Sequence, residues 1–599
     1  MLPRSFVRSL TGIALVAATA LLSAGAHAAA DPAKVLRVFS YDITSLDPQQ
    51  GTDLYSTRVA SSIFEALYEF DYLTEPARAV PCTAAAMPAI TDGGKVWTIK
   101  LKPGIRFADA PAFKGQPREL VAADYVYSIK RALDPNLLTG GDPAIADLIE
   151  GMRPVVDAAS KPGAKFNYDA PVSGLRALDK YTLQIRLTSA NYTLQEWLAG
   201  LPAMAVAREV VESAGDDIKS QPVGTGPYVL KEWKRASRVV LEANPLYRGL
   251  KFPENSEPRH RALVESMRGK SLPQIGRIEI SIIEEAQAYL LAFQQGDLDY
   301  IALGGNDVAS VLSGDALKPD LAKKGISRIR FGAPQLTFTY FNMKDPLVGG
   351  YSNAQVALRR AIAMGYNVDE SIRVLYAGQA LPANQLLPPG VDGYDASLPP
   401  KSLYDPAAAR ALLDRFGFKD RDGDGYRETP DGKPLVVVRG TLPGSWYREI
   451  DTLFKKNMDA IGIHMEVEQK TFSELNNLSR AGKLPMFNLG VRALEPSGYQ
   501  ILQLLWSKSP IDTNFSQFAN ADYDAAYEQF LRTPSGPVRT ATARKMSEIA
   551  LVYMPMMLAT FGISNTLLYP WVQGYWPSQF GFSWKYLDLD VAKRKAAGK

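Results

Sequence analysis

The chain has 599 residues, of which 46% are hydrophobic and 22% are charged, an ordinary composition for a folded globular protein. Its 67 Lys and Arg against 63 Asp and Glu give a net charge of +4, too small for a protein that neutralises many nucleic-acid phosphates. A single Cys excludes an internal disulfide or a thiolate cage, and three His argue against a His-rich metal site. We therefore expect no cofactor and no nucleic-acid partner. Because nearly 600 residues exceed one hydrophobic core, we expect more than one lobe.

The first 28 residues have the pattern of a secretory signal. Arg4 and Arg8 precede an apolar run at 12–22, and Ala26-His27-Ala28 completes an A-x-A cleavage pattern. A membrane anchor is the alternative, but a span needs about 18–20 apolar residues. No Cys lies near the predicted cut, so we expect a soluble periplasmic protein rather than a lipoprotein.

Beyond the signal, predicted strands and helices alternate irregularly. Strands are predicted at 35–39, 96–101, 183–187, 239–242, 278–283, 326–331, 436–439 and 463–467. Helices are predicted from about 54, after 120, and at 285–295, 354–364, 406–415, 445–461 and 537–551. This order favours mixed α/β lobes over a barrel or a solenoid. The basic tail at 591–599 is predicted to be a solvated, frayed end.

Several short strings, weak one by one, together resemble one family. They are, in chain order, LDP at 46–48, IFEAL at 63–67, WTIKLKPGIRF at 97–107, GTGPY at 224–228, LRRAI at 358–362 and YAGQA at 376–380. GTGPY by itself predicts a structural turn, because its glycines allow unusual backbone conformations and no Gly-Lys-Ser/Thr phosphate motif follows. In order and spacing, the strings resemble the large extracellular solute-binding proteins, family 5, of peptide, nickel and related ABC importers.

This resemblance implies an α/β, two-lobed periplasmic binding protein of type II, in the large class with an inserted extra subdomain and a cleft between the lobes. Lobe I would comprise 29–75, 216–330 and 555–599, the inserted subdomain 76–215, and lobe II 331–554. Crossovers near 328–333 and 552–558 would act as hinges.

The resemblance also implies a ligand-binding cleft built from four segments. The residues expected to bind ligand are Thr52, Asp53 and Leu54, then Phe338 and Tyr340, then Ser445 and Trp446, and last Arg492, Glu495 and Tyr499. Peptide-binding members place an Asp at the position of Arg492, where it pairs with the ligand's ammonium group. An arginine prefers a carboxylate or phosphate, so an anionic ligand is expected unless Asp53 or Glu495 supplies the acid. Alternatively, Arg492 faces solvent or pairs with Glu495.

An acidic loop offers a second, weaker site. Five acids have nearly the spacing of a calcium-binding loop, with Gly425 at its sixth position: Asp420, Asp422, Asp424, Glu428 and Asp431. A strand is predicted after the loop, where a calcium-binding helix–loop–helix would have its second helix. An Asx-rich turn is therefore the preferred interpretation.

These observations predict a monomeric substrate-binding protein of an ABC importer, with no enzymatic activity. It would capture a peptide or another small organic solute, anionic solutes included, and deliver it to a permease in the inner membrane. Two alternatives stay open. One is a secreted hydrolase that uses carboxylates such as Asp53 and Glu495, and the other is a periplasmic sensor or chaperone with the same fold.

Overall fold

The computed structural model describes residues 30–51, 53–137, 139, 141–255, 257–303, 305–580 and 584–599. The predicted signal at 1–28 and the predicted ligand-binding residue Thr52 lie outside the described residues. Within them, no helix has both the length and the apolar character that a membrane crossing requires.

Strands are distributed along the whole described chain. In chain order they are β1 Asp31–Ser40, β2 Tyr68–Phe70, β3 Ala79–Pro81, β4 Ala89–Thr91, β5 Val96–Lys100, β6 Leu175–Asp179, β7 Thr182–Arg186, β8 Tyr228–Lys234, β9 Arg238–Ala243, β10 Leu250–Lys251, β11 Ser271–Leu272, β12 Ile275–Ile282, β13 Tyr300–Leu303, β14 Leu312–Ser313, β15 Ala316–Leu317, β16 Ser327–Phe341, β17 Ala380–Pro382, β18 Val436–Thr441, β19 His464–Gln469, β20 Met486–Arg492, β21 Met556–Leu568, β22 Val572–Gln573 and β23 Asp588–Leu589.

Helices separate these strands at irregular intervals. In chain order they are α1 Leu54–Ile63, α2 Ala122–Ala132, α3 Pro143–Leu148, α4 Arg153–Ala159, α5 Leu194–Trp197, α6 Arg208–Ala214, α7 Arg261–Met267, α8 Ala286–Gln295, α9 Gly305–Val308, α10 Pro319–Lys323, α11 Asn353–Gly365, α12 Val368–Val374, α13 Pro406–Arg415, α14 Ser445–Asp459, α15 Phe472–Arg480, α16 Tyr499–Leu502, α17 Ala521–Leu531, α18 Pro537–Tyr553 and α19 Val591–Ala596.

Three sheets organise the fold. A four-stranded sheet has the order β1-β12-β9-β8, and a second one, formed within 89–186, has the order β4-β5-β7-β6. The largest sheet has the order β13-β21-β16-β20-β18-β19, and β17 also pairs with β21. The mixture of parallel and antiparallel pairs is typical of α/β proteins whose helices cover the sheet faces.

Two long antiparallel strands, β16 and β21, pass from one hydrophobic core to another. Near one end of the pair, Leu567 and Leu568 pack in a core with β1, β12 and α8. Farther along the pair, Leu336 and Phe561 pack in a core that also contains side chains of α17 and α18. The strand register shifts between Gly332 and Leu336, so the pairing is least regular where the strands cross between the cores.

The segment predicted as an inserted subdomain packs against residues beyond 336. Most of its buried apolar side chains belong to the same core as Phe561, although Tyr127, Met204 and Val206 belong to the core of β1 and β12. The backbone N–H of Tyr192 donates to the carbonyl of Leu531 at 2.9 Å. This contact closes one side of the space between the first part of the chain and the region around β20.

The GTGPY turn owes its glycines to a close approach rather than to an unusual backbone conformation. A Cβ on Gly224 would lie 2.1 Å from the carbonyl oxygen of Ile63, and one on Gly226 would lie 2.6 Å from it. Gly226 donates its N–H to that carbonyl at 2.8 Å. The turn is structural, as predicted, and it fixes the end of α1.

The basic tail is mostly exposed, as predicted, but the prediction that it is frayed was wrong. Residues 591–596 form helix α19, capped by Asp590. The Arg594 side chain is buried, donates to the carbonyl of Val35 at 2.7 Å, and lies 3.4 Å from the carboxylate of Asp299. The local sequence could not predict this buried ionic contact, because its acidic partner lies almost 300 residues away in the sequence.

Candidate functional site

A cavity of about 330 Å³ lies between α1, the predicted inserted segment and the loop after β20. Its aromatic and apolar wall includes Phe64, Tyr68, Phe70, Trp197 and Phe580. Apolar walls with a few polar groups are typical of small-molecule sites, whose volumes run from about 300 to 1,000 Å³. Five of the sequence-predicted ligand-binding residues line this cavity: Asp53, Leu54, Arg492, Glu495 and Tyr499.

Asp53 is occupied as the N-cap of α1. Its carboxylate accepts the backbone N–H groups of Ser56 at 2.7 Å and Tyr55 at 3.0 Å, and the hydroxyls of Ser56 and Thr44. Burial acts to raise the pKa of Asp53, but the hydrogen bonds from Ser56, Thr44 and Tyr55 outweigh it and lower the pKa. Asp53 is therefore an ionised structural cap with little capacity left for a ligand.

Arg492, the last residue of β20, faces the cavity. Burial lowers its pKa, and Arg58 of α1, another cavity residue, lowers it further. No ion pair joins Arg492 to Glu495 in the described part of the chain, and no carboxylate offsets the shift of the Arg492 pKa. Two guanidinium groups from separate parts of the fold thus approach one region of the cavity, where an anionic group would relieve their repulsion.

Glu495 contributes a buried carboxyl group elsewhere in the cavity wall. One of its oxygens accepts from the Ser497 hydroxyl at 2.7 Å, and the residue is 6% exposed. Burial, together with the negative charges of Glu196 and Asp142, raises the pKa of Glu495 to about 8. Such a carboxyl group favours a nearby cation, because a cation would stabilise its charged form.

The cavity also contains charged residues that sequence reasoning missed. Glu65 is held by Arg248 through hydrogen bonds of 2.7 and 2.9 Å, and Glu69 forms an ion pair with Lys585. Asp142 caps α3 and lines the cavity. An Asp-Pro pair before an apolar run signals the start of a helix, but no sequence pattern indicates that this cap faces a ligand site.

The other four predicted ligand-binding residues that the structure describes do not line this cavity. Phe338 and Tyr340 are buried on one face of β16, and the Tyr340 hydroxyl is 2.5 Å from that of Ser479. Because neighbouring residues of a strand point to opposite faces, Thr337 and Thr339 line a separate space of about 10 Å³. Ser445 begins α14, and Trp446 packs edge-on against Tyr376. Phe338, Tyr340 and Trp446 pack around the large sheet, whereas Ser445 is exposed at the start of α14.

The acidic loop brings together four of its five predicted ligands. Carboxylate oxygens of Asp420, Asp422, Asp424 and Glu428 lie within 4.8 Å of one another, whereas Asp431 pairs with Lys433 at 2.7 Å. Three of the four are exposed. Asp420 accepts from the N–H groups of Gly423 and Gly425, and Asp424 accepts from that of Tyr426. These bonds within the loop account for the acidic spacing as an Asx-rich turn.

A cavity with an apolar wall and separated charges lies between parts of the chain that two long strands connect, and this arrangement defines a small-solute binding protein. The profile of the bacterial extracellular solute-binding proteins, family 5, matches residues 78–513, and the chain belongs to this family. Both the predicted family and the predicted two-lobed α/β binding-protein fold are thereby confirmed.

The chain is also similar in sequence and in fold to individual known proteins. The chain is 25% identical over 435 residues to di/tripeptide-binding protein 2 of Pseudomonas aeruginosa (strain UCBPP-PA14), covering 70% of this chain and 71% of that one. It is 23% identical over 604 residues to the periplasmic oligopeptide-binding protein OppA of Escherichia coli (strain K12), covering 96% and 95%. The solved DppA of Helicobacter pylori in complex with peptide STSA has a TM-score of 0.66 at 20% identity, covering 93% of this chain and 98% of that one.

Proposed function

We propose that this protein captures short peptides, or other small solutes with both an ammonium and a carboxylate group, in the periplasm and delivers them to an ABC permease. The observation that carries this proposal is one cavity with a buried acid, Glu495, in one part of its wall and an arginine, Arg492, in another. The relatives named for di/tripeptides and oligopeptides support the same class of ligand.

Glu495 is the group that would bind the ammonium end. The resemblance places Arg492 where peptide-binding members have an acid, and Asp53 is occupied by the cap of α1. Glu495 is buried, lines the cavity, and has only the Ser497 hydroxyl as a hydrogen-bond donor to its side chain among the described residues. A ligand ammonium would supply the missing positive charge, and charge-assisted hydrogen bonds of this kind are among the stronger ones in proteins.

Arg492 and Arg58 would bind the carboxylate end. They belong to β20 and α1, two separate elements of the cavity wall. A carboxylate between them would be shared by both lobes, and it would favour the closed form by the differential contacts it makes there. Binding and closure would then be the same event.

We infer that the solute leaves unchanged. The hydrolase alternative required Asp53 and Glu495 to act as a pair of catalytic carboxylates. Asp53 is held ionised by donors from its own helix and from Thr44, so it has no free edge directed at a substrate. Incubation of a peptide with the protein, followed by mass spectrometry, should recover the peptide intact.

The test is calorimetric titration of one tripeptide, trialanine, in three forms: free, N-acetylated and C-amidated. Each modification removes one end charge, and each should weaken binding about tenfold or more, equivalent to about 1.4 kcal/mol. Native mass spectrometry of the protein purified without refolding would identify the solute carried from the cell. Equal affinity for all three forms, or a co-purified neutral sugar, would overturn the proposal.

A further inference from the structure

Helix α1 lies along the cavity from an exposed rim to a buried end. Four of its residues line the cavity with the spacing of a single helix face: Leu54, Thr57, Arg58 and Ser61. Leu54 is 47% exposed, whereas Phe64, which follows the helix and also lines the cavity, is 1% exposed. At 1.5 Å per residue, about 15 Å of helix separate these two positions. The cavity wall is therefore most deeply buried beside the C-terminal end of α1.

Aromatic rings form this buried end. Tyr68 and Phe70 lie two residues apart on β2, so they point to the same face of the strand. The ring of Phe70 meets that of Phe580 edge-on, with 6.2 Å between the centroids. Together with Phe64, these residues line the cavity and are buried. We call Phe64, Tyr68, Phe70 and Phe580 the aromatic floor, a surface that favours an aromatic group of the ligand.

The Tyr68 hydroxyl is the one polar side-chain group of the aromatic floor. The Tyr68 side chain is fully buried, and its hydroxyl has no hydrogen-bond partner among the described residues. A phenol can both donate and accept a hydrogen bond, and a buried polar group is costly to leave unsatisfied. A polar group on the ligand would satisfy this hydroxyl.

The charged residues next to the aromatic floor in the sequence are engaged in ion pairs. The carboxylate of Glu65 accepts from Arg248 at 2.7 and 2.9 Å, and Glu69 pairs with Lys585. A charged ligand side chain at the floor would lose its water and find these counter-charges already paired. The floor therefore favours a ligand group that is neutral as well as aromatic and polar.

Arg58 determines which part of a peptide would reach the aromatic floor. In the proposed function, the ligand carboxylate binds between Arg58 and Arg492. Phe64 lies six residues beyond Arg58, a distance of about 9 Å along the helix. The side chain of the last peptide residue is attached to the same carbon atom as the carboxylate. It is therefore the side chain best placed to extend from Arg58 to the floor.

We propose that the aromatic floor selects peptides whose C-terminal residue is tyrosine, with the ligand phenol hydrogen-bonded to the Tyr68 hydroxyl. Phe64, Phe70 and Phe580 would contact the ligand ring, and Tyr68 would be a specificity-determining residue. This inference rests on the proposed function, because it assumes that the carboxylate binds at Arg58 and Arg492. It adds the identity of one side chain, which the charged ends of a peptide leave open.

The experiment compares Ala-Tyr with Ala-Phe by calorimetric titration, since these dipeptides differ by one hydroxyl group. The unaltered protein should bind Ala-Tyr about tenfold more tightly, because Ala-Phe leaves the Tyr68 hydroxyl unpaired. Tyr68→Phe should remove this preference without weakening the binding of Ala-Phe. Urea unfolding should show that Tyr68→Phe is folded, as expected for the loss of a hydroxyl that has no partner in the described part of the chain.

The matched control is Tyr228→Phe. Tyr228 is also fully buried, and its hydroxyl likewise lacks a partner within the described ranges, but Tyr228 does not line the cavity. The Tyr228→Phe variant should keep the preference for Ala-Tyr. Loss of the preference in both variants would overturn the role of Tyr68, because the effect would then not depend on a position in the cavity wall.

Two further results would overturn the inference alone. Equal affinity of the unaltered protein for the two dipeptides would show that no group binds the ligand phenol. Equal weakening of both dipeptides in Tyr68→Phe would show that the Tyr68 hydroxyl binds the peptide main chain instead. Trialanine separates these failures from a failure of the proposed function. If trialanine binds and the aromatic dipeptides do not, the inference alone is overturned, and if none of the three binds, the proposed function is overturned with it.

Discussion

The guanidinium group of Arg131 donates two hydrogen bonds to the carboxylate of Asp47, at 2.6 and 2.5 Å. Arg131 also donates to the side chain of Gln49 at 2.8 Å. Both members of the ion pair are buried. The pair fastens α2 of the predicted inserted segment to the chain that precedes α1.

Removal of one partner should destabilise the protein strongly. Asp47→Ala would leave the Arg131 charge buried and uncompensated, which typically costs about 3–5 kcal/mol. Urea unfolding should show this loss. The matched control is Asp169→Ala, which removes the exposed acidic partner of Arg208 and should cost at most about 1 kcal/mol. Equal losses in the two variants would contradict the structural role of the Arg131 and Asp47 pair.

Arg492→Ala should weaken peptide binding without unfolding the protein. The lost charge-assisted bonds correspond to about 1.5–3 kcal/mol, or roughly 10- to 150-fold in Kd. The control is a C-amidated peptide, which lacks the carboxylate. Arg492→Ala should weaken the binding of this peptide much less than it weakens the binding of the free peptide. Stability in urea should change little, because the described residues offer Arg492 no ion-pair partner. The same loss for both peptides would place the carboxylate elsewhere.

Asp53 should affect stability through the cap of α1. Asp53→Ala removes an N-cap and should cost about 0.5–2 kcal/mol, whereas Asp53→Asn retains an acceptor oxygen and should cost less. The folded-state pKa of Asp53 lies below its ordinary value of 3.8, so its contribution is present above that pH and is lost as the pH falls below it. Acid unfolding of the Asn variant should therefore be less steep, and an identical profile would contradict this assignment.

The acidic loop should behave as a turn. Gly425 has a φ of +93°, which L residues adopt only with strain, so Gly425→Ala should cost about 1–2 kcal/mol. The Tm measured in millimolar calcium should equal the Tm measured in millimolar magnesium. A rise in Tm with calcium alone, absent in Asp422→Asn, would contradict the turn interpretation and favour a bound ion.

Local pattern predicted most individual elements well. Helix α13 begins and ends as predicted, and the predicted strand at 436–439 is the first part of β18. By contrast, the sequence pattern did not indicate β21, which lies between β13 and β16 in the large sheet. Its burial on both faces removes the alternation of polar and apolar residues that identifies a half-exposed strand.

The hinge positions depend on this strand. The sequence places the second crossover at 552–558, but in the register of β16 with β21 the residues opposite 328–332 are 563–567. The predicted lobe boundaries stay predictions, and the register favours a crossover several residues later on β21. An opened form of the protein would decide this, since the backbone angles should change at the true hinge.

The sequence by itself determined the class of protein, since composition, the spaced family strings and the local periodicities all arise from residues near one another in the chain. It also indicated Arg492, Glu495 and Tyr499 as residues of one loop. Only the tertiary structure decided that the Asp53 carboxylate caps a helix and that Arg58 approaches Arg492. It also decided that Asp142 and Glu196 lie near Glu495. The charge of a binding site depends on which distant side chains are buried together, because burial and neighbouring charges set each pKa, and neither can be read from one segment of the chain.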